Sequence, residues 1–459
     1  MKNILITAFL FTVTINSFSQ ALGYQDLGVL FSQNDRNGSA RFTAMSGAFG
    51  ALGGDISSIS LNPAGISVFN SSEFIGSFNS RNTDINTNYY GDEINTEAQF
   101  FNLSHAGAVL VFDTSYNTEW SKFAIGFNYT ITKDFSNNFL AKGNSGIATF
   151  RDFPLDNNTQ PTDYNVAEEQ RFSNNYNGEI TEFSVAFSSV HQQKLHVGMA
   201  LNFYDLNFSQ QSQLREYNND GIGNELDAKI YQENLTTGSG FSANAGFIYK
   251  AHSNFRFGFA YQTPTWFREV IESTNITNND GYFGDTTISV DTDNTSYSNT
   301  AGGYYPTQEL LYRLKTPSKI TASAAFIFGK QGLLSIDYSN KRFKNIRLSN
   351  DDFITENQFF KNELRNTHNV HIGAEWRMDR FSVRGGYQLE QDPYSSASEN
   401  SLKGHSLGAG YNFGNFKIDF SYQNNNSNNQ YNFYSGFNVN PAELTTNNRV
   451  ITSSITFNL

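Results

Sequence analysis

The chain has 459 residues, a formal net charge of −12 and no cysteine, which excludes disulfides and thiolate metal sites. Charged residues make up only 16% of it, well below the roughly 25% of soluble proteins, yet its mean hydropathy of −0.47 is too polar for a helical membrane protein. The acidic balance, without a basic stripe, argues against nucleic-acid binding. An aromatic content of 15% is instead typical of a transmembrane β-barrel, which has a polar lumen and aromatic girdles.

Residues 1–19 predict a secretory signal peptide. Lys2 supplies the positive start, residues 4–15 supply the apolar segment, and the small residues Ser17 and Ser19 predict cleavage before Gln20. The apolar segment is far shorter than the roughly 20 residues of a membrane helix, and no later segment reaches that length. Any membrane crossing must therefore be made by strands.

Residues 20–70 predict a small plug, or hatch, inside the barrel. Residues 41–69 are crowded with Ala, Gly and Ser, which suits a backbone that packs closely inside another structure. Several glycines disfavour a free-standing helix here, and Asn62-Pro63 predicts a turn. We expect this turn to lie in the lumen.

Residues 71–459 predict the barrel itself. Apolar and polar residues alternate with a period of two, and residues 195–203 and 370–378 are clear examples. Short connections alternate with long polar ones, which is the signature of an outer-membrane barrel. The long connections are predicted at residues 82–97, 136–177, 214–238, 274–307, 348–366, 391–401 and 425–446. We therefore predict an all-β fold, an antiparallel barrel of about 14 strands, with both termini on the periplasmic side.

The hatch and the strand count together resemble the FadL/TodX family of outer-membrane transporters for hydrophobic compounds, in particular its Bacteroidetes-type members. Two segments ahead of barrel strands also resemble the family: Tyr-Gln-Thr-Pro at residues 261–264 and Leu-Lys-Thr-Pro at residues 314–317. The hatch motif on which the resemblance mainly depends consists of Ser46, Gly47, Asp55, Ser57, Asn62, Pro63, Ala64 and Gly65.

The resemblance implies passive uptake of hydrophobic small molecules, either long-chain fatty acids or aromatic hydrocarbons. Substrate would be captured at the external loops, held in a lumen pocket near the hatch, and released sideways through a gap beside an inward kink of the third strand. That strand is predicted at residues 122–135, and Gly126 is where we expect the kink. The alternative is a FadL-fold component of a Bacteroidetes protein secretion and surface-attachment machinery, which would bind a partner protein.

Charged residues on the lumen-facing phase of the strands are further candidates. They either form salt bridges across the lumen and to the hatch, or one cation meets a substrate carboxylate. These residues are Arg256, Asp337, Glu375, Arg377, Arg384, Lys417 and Asp419. An apolar loop region is either an external dock for substrate or part of the outer aromatic girdle. Its residues are Tyr304, Tyr305, Leu310 and Leu311.

We expect no enzyme activity, cofactor or metal. No Gly-x-Ser-x-Gly elbow is present, and the closest histidines, His368 and His371, would face opposite sides of a strand. We expect a monomer in the outer membrane of a Gram-negative cell. Its partners would be the hydrophobic substrate, outer-membrane lipid and, during biogenesis, the barrel assembly machinery.

Overall fold

The period-two alternation of the sequence forms a closed antiparallel barrel of fourteen wall strands, as predicted. The computed structural model describes residues 22–113, 119–149, 152–153, 162–277, 287–290, 295–298, 308–397, 400–434 and 438–459. The signal peptide predicted at residues 1–19 lies outside them.

Helices are few and short. The α-helices are α1 Tyr24–Leu30, α2 Ala40–Ala44 and α3 Ile354–Asn362, and the 3-10 helices are Ile56–Ser60, Pro63–Val68 and Phe343–Asn345. Within the described part of the chain, none of the helices has the length and apolar character needed to cross a membrane.

The strand segments are β1 Glu73–Tyr89, β2 Asp92–Asp113, β3 Trp120–Asp134, β4 Asn137–Gly143, β5 Asp152–Phe153, β6 Thr162–Asp163, β7 Val166–His191, β8 Leu195–Asn219, β9 Glu225–His252, β10 Phe255–Gln262, β11 Trp266–Thr277, β12 Thr287–Val290, β13 Thr295–Ser298, β14 Gln308–Lys315, β15 Lys319–Phe328, β16 Gly332–Lys341, β17 Arg347–Ser349, β18 Thr367–Met378, β19 Phe381–Glu390, β20 Leu402–Asn412, β21 Phe416–Tyr431 and β22 Ala442–Asn458. Four wall strands are each built from two consecutive segments: β3 with β4, β10 with β11, β14 with β15, and β16 with β17. Pairing of β1 with β22 closes the barrel, with Glu73 opposite Asn458.

Many strands are longer than their stretch of outward-facing apolar residues, which we call the apolar belt. Several connections are therefore shorter than predicted. On β8 the outward residues are apolar from Leu195 to Phe203, about the length that a tilted strand needs to cross the hydrocarbon core. Beyond Phe203 the outward residues of β8 are mostly polar, yet the strand continues to Asn219. The inward residues Leu206 and Phe208 are buried there, so the apolar face of β8 changes from the outside of the wall to the inside, which breaks the sequence pattern. Likewise β1 and β2 are joined by a tight turn at Tyr90 and Gly91, so the long loop expected at residues 82–97 is wrong.

The two Thr-Pro segments interrupt neighbouring wall strands at the same level. Pro264 separates β10 from β11, and Pro317 separates β14 from β15, because proline cannot donate to the ladder. Hydrogen bonds between Thr265 and Thr316 hold the two breaks together. The Thr265 amide donates to the Thr316 hydroxyl (2.9 Å), and the Thr316 amide donates to the Thr265 carbonyl (3.0 Å).

The N-terminal segment fills the lumen, and the two described chain ends lie at different levels. The Leu459 amide donates to the Ser72 carbonyl (2.9 Å) at the end of the barrel with short turns. The Leu22 amide instead donates to the Gln210 side chain (3.2 Å), in the half with long connections. Residues 1–21 lie outside the described part of the chain, so the expectation that both termini lie on the short-turn side stays a prediction.

Candidate functional site

The hatch backbone lies directly against glycines on the inner face of the wall. A Cβ atom at Gly198 would lie 2.5 Å from the Ala64 nitrogen, and one at Gly258 would lie 2.4 Å from the Gly50 oxygen. Such distances are too short for any side chain, so wall and hatch are matched in being small at these points. The small residues of the sequence therefore serve close packing of hatch against wall.

Two residues of the hatch motif cap its 3-10 helices. The Asp55 carboxylate accepts a hydrogen bond from the Ser57 amide (3.1 Å) and another from the Ser39 hydroxyl (2.7 Å). The Asn62 side chain accepts from the Ala64 amide (3.2 Å) and begins the second 3-10 helix, in which Pro63 occupies the first turn. Capping satisfies backbone groups that would otherwise be buried without partners.

Asn62 also ties the hatch to itself and to the wall. Its side-chain nitrogen Nδ2 donates to the Gly50 carbonyl (2.7 Å) and to the Phe247 carbonyl on β9 (3.1 Å). Gly65 packs against Gly53, where a Cβ would come within 2.9 Å of the Gly53 Cα. Residues 62–65 are all buried and contact the inner wall, so the structure places this turn in the lumen.

Ser46 and Gly47 form a left-handed turn on the other side of the hatch. Ser46 has φ of 49° and Gly47 has φ of 72°, a region that only glycine enters easily. The Ser46 hydroxyl lies 2.9 Å from the Ser406 hydroxyl, and the Ser46 carbonyl accepts from the ring nitrogen Nδ1 of His371 (3.0 Å). The strained turn is thus held by two wall strands.

Four of the predicted lumen charges form one ion-pair network around the hatch residue Arg41. The buried Glu375 carboxylate binds Arg41 and Arg384, each at 2.7 Å, and also binds Arg377. Arg384 reaches on to Asp419 at 2.5 Å. Burial opposes the charge of Arg41, but the neighbouring Glu375 carboxylate raises the pKa of the guanidinium above its usual value. Arg41 was not among the predicted site residues, although it is the only cation in residues 41–69 of the sequence.

The remaining three predicted charges also face the lumen. Asp337 accepts a hydrogen bond from the Gly50 amide (2.9 Å), and Arg256 donates to the Leu52 carbonyl (3.0 Å). Lys417 pairs with Glu73 (2.8 Å) at the start of the first strand. Most of the predicted charges therefore hold the hatch or one another.

Buried apolar side chains fill the lumen on the long-connection side of the hatch, a cluster that we call the upper core. Members of the upper core include Leu27, Phe31, Phe139, Phe172, Phe208 and Phe433. The Phe172 and Phe433 rings stack at 4.8 Å with planes 1° apart, and Phe31 packs edge-on against Phe208 at 5.4 Å. Helix α1 supplies Leu27 and Val29 to this cluster, so the N-terminal segment occupies the apolar part of the lumen. This role of α1 is not evident from the sequence of residues 24–30.

Helix α1 carries one acidic residue into this region. The Tyr394 hydroxyl donates to the Asp26 carboxylate at 2.8 Å. Burial raises the pKa of Asp26 above its usual value, although the hydrogen bond from Tyr394 favours the charged form.

The wall is open between β2 and the third wall strand in the long-connection half. Pairing of β2 with β3 ends at His105 opposite Thr130, and beyond this point residues 92–104 of β2 pair only with β1 within the described chain. The third strand has a register shift between Ile131 and Lys133 and continues as β4. The expected kink at Gly126 is wrong: Gly126 is regularly paired with both neighbouring strands, and the irregularity lies a few residues further on.

Segment β4 lies inside the barrel, against the inner face of β1. Arg81 of β1 binds Asp134 at 3.0 Å, and the Thr87 hydroxyl donates to the Leu140 carbonyl at 2.5 Å. Because β4 is displaced inward, a groove of about 450 Å³ opens beside the gap. Residues that line this side groove include Thr96, Asn138, Leu140, Arg171, Ser173 and Gln211. Most of these side chains are polar.

The expected external dock does not form one surface in the described part of the chain. Leu310 packs against the upper core, whereas Leu311 is 48% exposed and points outward. The two are neighbours on β14, so they face opposite sides of the wall. Tyr304 and Tyr305 lie outside the described residues.

Taken together, fold and site define a β-barrel whose lumen holds an N-terminal hatch and whose wall is open on one side. The family model described as "F plasmid transfer operon, TraF, protein" matches residues 71–344, and the chain belongs to that family. None of the curated proteins matches the sequence.

The barrel is similar to solved structures whose sequences differ widely from it. A Pseudomonas aeruginosa FadL homologue has 14% identity and a TM-score of 0.56, covering 93% of this chain and 99% of that chain. The Pseudomonas putida toluene transporter TodX has 13% identity and a TM-score of 0.55, with the same coverage. The CymD monoaromatic hydrocarbon channel has 13% identity and a TM-score of 0.52, also covering 93% of this chain and 99% of that chain. The predicted resemblance to FadL and TodX is therefore confirmed for the fold.

Proposed function

We propose that this protein is an outer-membrane channel, without enzyme activity, for passive uptake of hydrophobic small molecules such as long-chain fatty acids or aromatic hydrocarbons. The observation that carries the proposal is the continuity between the upper core and the wall gap. Phe139 and Ala141 belong to the upper core and lie on β4, the segment that borders the gap. Phe139 also lines the side groove, so the apolar upper core adjoins the groove at this residue. The similar solved structures described as a toluene transporter and a monoaromatic hydrocarbon channel support the aromatic-hydrocarbon part of this proposal.

In this proposal, substrate takes the place that helix α1 occupies in the upper core. Leu27 and Val29 fill this space, and each buried aliphatic side chain stabilises the seated helix by about 1.5–3 kcal/mol. A substrate of about ten methylenes offers roughly 8 kcal/mol before the costs of binding. It can therefore compete with α1, while the hatch beneath keeps the lumen closed to water.

Deletion of hatch residues 44–59 tests the proposal. We expect the deletion to turn a non-conducting barrel into one that conducts ions in planar bilayers, because the ties from Ser46 and Asp55 are removed. Uptake of fatty acid or toluene should fall in the same variant, since the upper core loses its floor. Deletion of the exposed hairpin tip at residues 221–223 is the matched control and should leave both properties unchanged. A hatch deletion that remains sealed and still takes up substrate would contradict the proposal.

The location follows from the same proposal: a monomer in the outer membrane of a Gram-negative cell, inserted by the barrel assembly machinery, with its short turns and Leu459 facing the periplasm. Epitope tags in the long connections at residues 274–307 and 425–446 should then be reachable on intact cells. A tag at residues 329–332 should be reachable only after the membrane is opened. The opposite labelling would reverse the orientation.

One observation favours a second function, a Bacteroidetes-type secretion component that binds a partner protein. The side groove is lined mainly by polar side chains, including Asn138, Arg171 and Ser173, and β2 presents a strand edge beside it. An extended polypeptide fits such an edge better than a hydrocarbon does. Loss of a secreted partner from the cell surface, with hydrocarbon uptake unchanged, would identify this function in cells that lack the protein.

A further inference from the structure

Three cations face the lumen at the short-turn end of the barrel: Lys122 on β3, Lys250 on β9 and Arg256 on β10. Lys250 and Arg256 are direct cross-strand partners, and all three lie close enough to repel one another. Like charges directly opposite each other destabilise a sheet. In a chain with a net charge of −12, such a cluster is unexpected.

None of these three cations forms an ion pair with a carboxylate among the residues that the structure describes. The Lys122 ammonium donates to the Phe69 carbonyl (2.7 Å), and Arg256 donates to the Leu52 carbonyl. The Lys250 ammonium has no hydrogen-bond partner in the described chain. On the opposite side of the same end of the barrel, Lys417 and Arg384 are both paired with carboxylates. The positive charge is thus concentrated on one side and is not neutralised there.

A buried histidine next to the cluster also lacks a partner. His196 is 2% exposed, and its Nδ1 lies 2.8 Å from the Ser67 hydroxyl at the end of the second hatch 3-10 helix. Its other ring nitrogen, Nε2, is buried and has no partner among the described residues. The same three cations lie close enough to this imidazole to interact with it electrostatically. Buried polar atoms are normally paired, so this unpaired nitrogen is available to bind a ligand or an ion.

We infer that Lys122, Lys250, Arg256 and His196 form a binding site for a phosphate group at the short-turn end of the lumen. Ammonium and guanidinium groups bind phosphate through charge-assisted hydrogen bonds, and Nε2 of His196, when it carries the proton, supplies a further donor. A bound phosphate removes the repulsion between Lys250 and Arg256. It also links the last turn of the hatch to four wall strands. The site does not depend on the proposed transport function.

The phosphate belongs either to a free ion or to the headgroup of a phospholipid. The outward neighbours of the cluster, Tyr249 and Phe257, are aromatic residues of the kind that form the interfacial girdle. The cluster therefore lies at the depth of lipid headgroups, and either source reaches it from the short-turn side.

The test uses the full-length protein in a neutral detergent, titrated with inorganic phosphate at constant ionic strength by calorimetry and followed by thermal unfolding. Phosphate should bind the wild-type protein and raise its unfolding temperature. Lys250→Met should weaken phosphate binding by about tenfold or more. Without phosphate, the same variant should unfold at an equal or higher temperature than wild type, because one of two repelling charges is gone. If Lys250 only stabilised the fold, Lys250→Met would lower the unfolding temperature and leave phosphate binding unchanged.

Lys330→Met is the matched control, because Lys330 is an exposed cation in a nearby short turn and contacts none of the four residues. It should bind phosphate like wild type. Equal binding by all three proteins, or no binding by wild type, would overturn the inference. Short-chain phosphatidylglycerol then separates the two sources: binding at least tenfold tighter than inorganic phosphate identifies a lipid headgroup, and weaker binding identifies the free ion.

Discussion

The close packing of hatch against wall can be tested with two adjacent glycines of β19. Gly386 faces the hatch, where a Cβ would lie 2.6 Å from the Met45 carbonyl carbon and 2.7 Å from the Ser46 nitrogen. Gly385 faces outward, and a Cβ there meets nothing closer than 3.7 Å. Alanine at either position adds the same methyl group, so the two variants differ only in the face on which it lies.

Gly386→Ala should unseat the hatch, because the atoms in its way are backbone atoms that cannot rotate aside. Overpacking of this kind costs about 1–3 kcal/mol. That energy shifts the equilibrium between a seated and an unseated hatch by about 5- to 150-fold. The Ser46 turn is already in a left-handed conformation, so it has little room to adjust.

Planar-bilayer conductance and thermal unfolding measure the effect. Gly386→Ala should show more frequent ion-conducting events and a lower unfolding temperature than wild type, whereas Gly385→Ala should match wild type in both. If the two variants behave alike, the hatch tolerates an extra atom at this contact, and the account of the wall glycines as close-approach positions is refuted.

Two further substitutions test the electrostatics. Glu375→Gln leaves buried guanidinium groups facing a neutral amide, so we expect it to lower the free energy of unfolding, measured by urea titration, by about 3–5 kcal/mol. The control Glu443→Gln, at an exposed position, should change this free energy little. Because folding raises the pKa of Asp26, its contribution to stability is fully present below the ordinary carboxyl pKa of about 4 and is lost as the pH rises through the folded value. Asp26→Asn keeps an acceptor for the Tyr394 hydroxyl and should therefore be more stable than wild type at pH 7 but not at pH 3; the same difference at both pH values would contradict this.

The apolar belt and the hatch could be predicted from sequence because both are encoded locally. Within the belt, lipid on one side and a polar lumen on the other impose strict alternation, as in residues 195–203. Between residues 41 and 69, close packing requires small side chains, and Asn62-Pro63 carries its own turn and cap. These signals need no knowledge of distant partners.

The fold around the site depended on contacts that no local pattern reports. Beyond the belt the outward face of β8 becomes polar while Leu206 and Phe208 on its inward face are buried, so the apolar face changes sides although the strand continues. The wall opens after Thr130 because Asp134 and β4 contact Arg81 and the inner face of β1. The kink predicted at Gly126 was based on the residue type alone. Pairs such as Arg41 with Glu375 join residues 334 positions apart, so only closure of the barrel brings them together. The sequence by itself determined which face of each belt strand meets lipid and which segment plugs the lumen, because the first follows from the surroundings of each side chain and the second from the small side chains that close packing requires. Tertiary structure alone decided where the wall opens and what fills the upper core, because these depend on how wall, hatch and helix α1 compete for the same enclosed space.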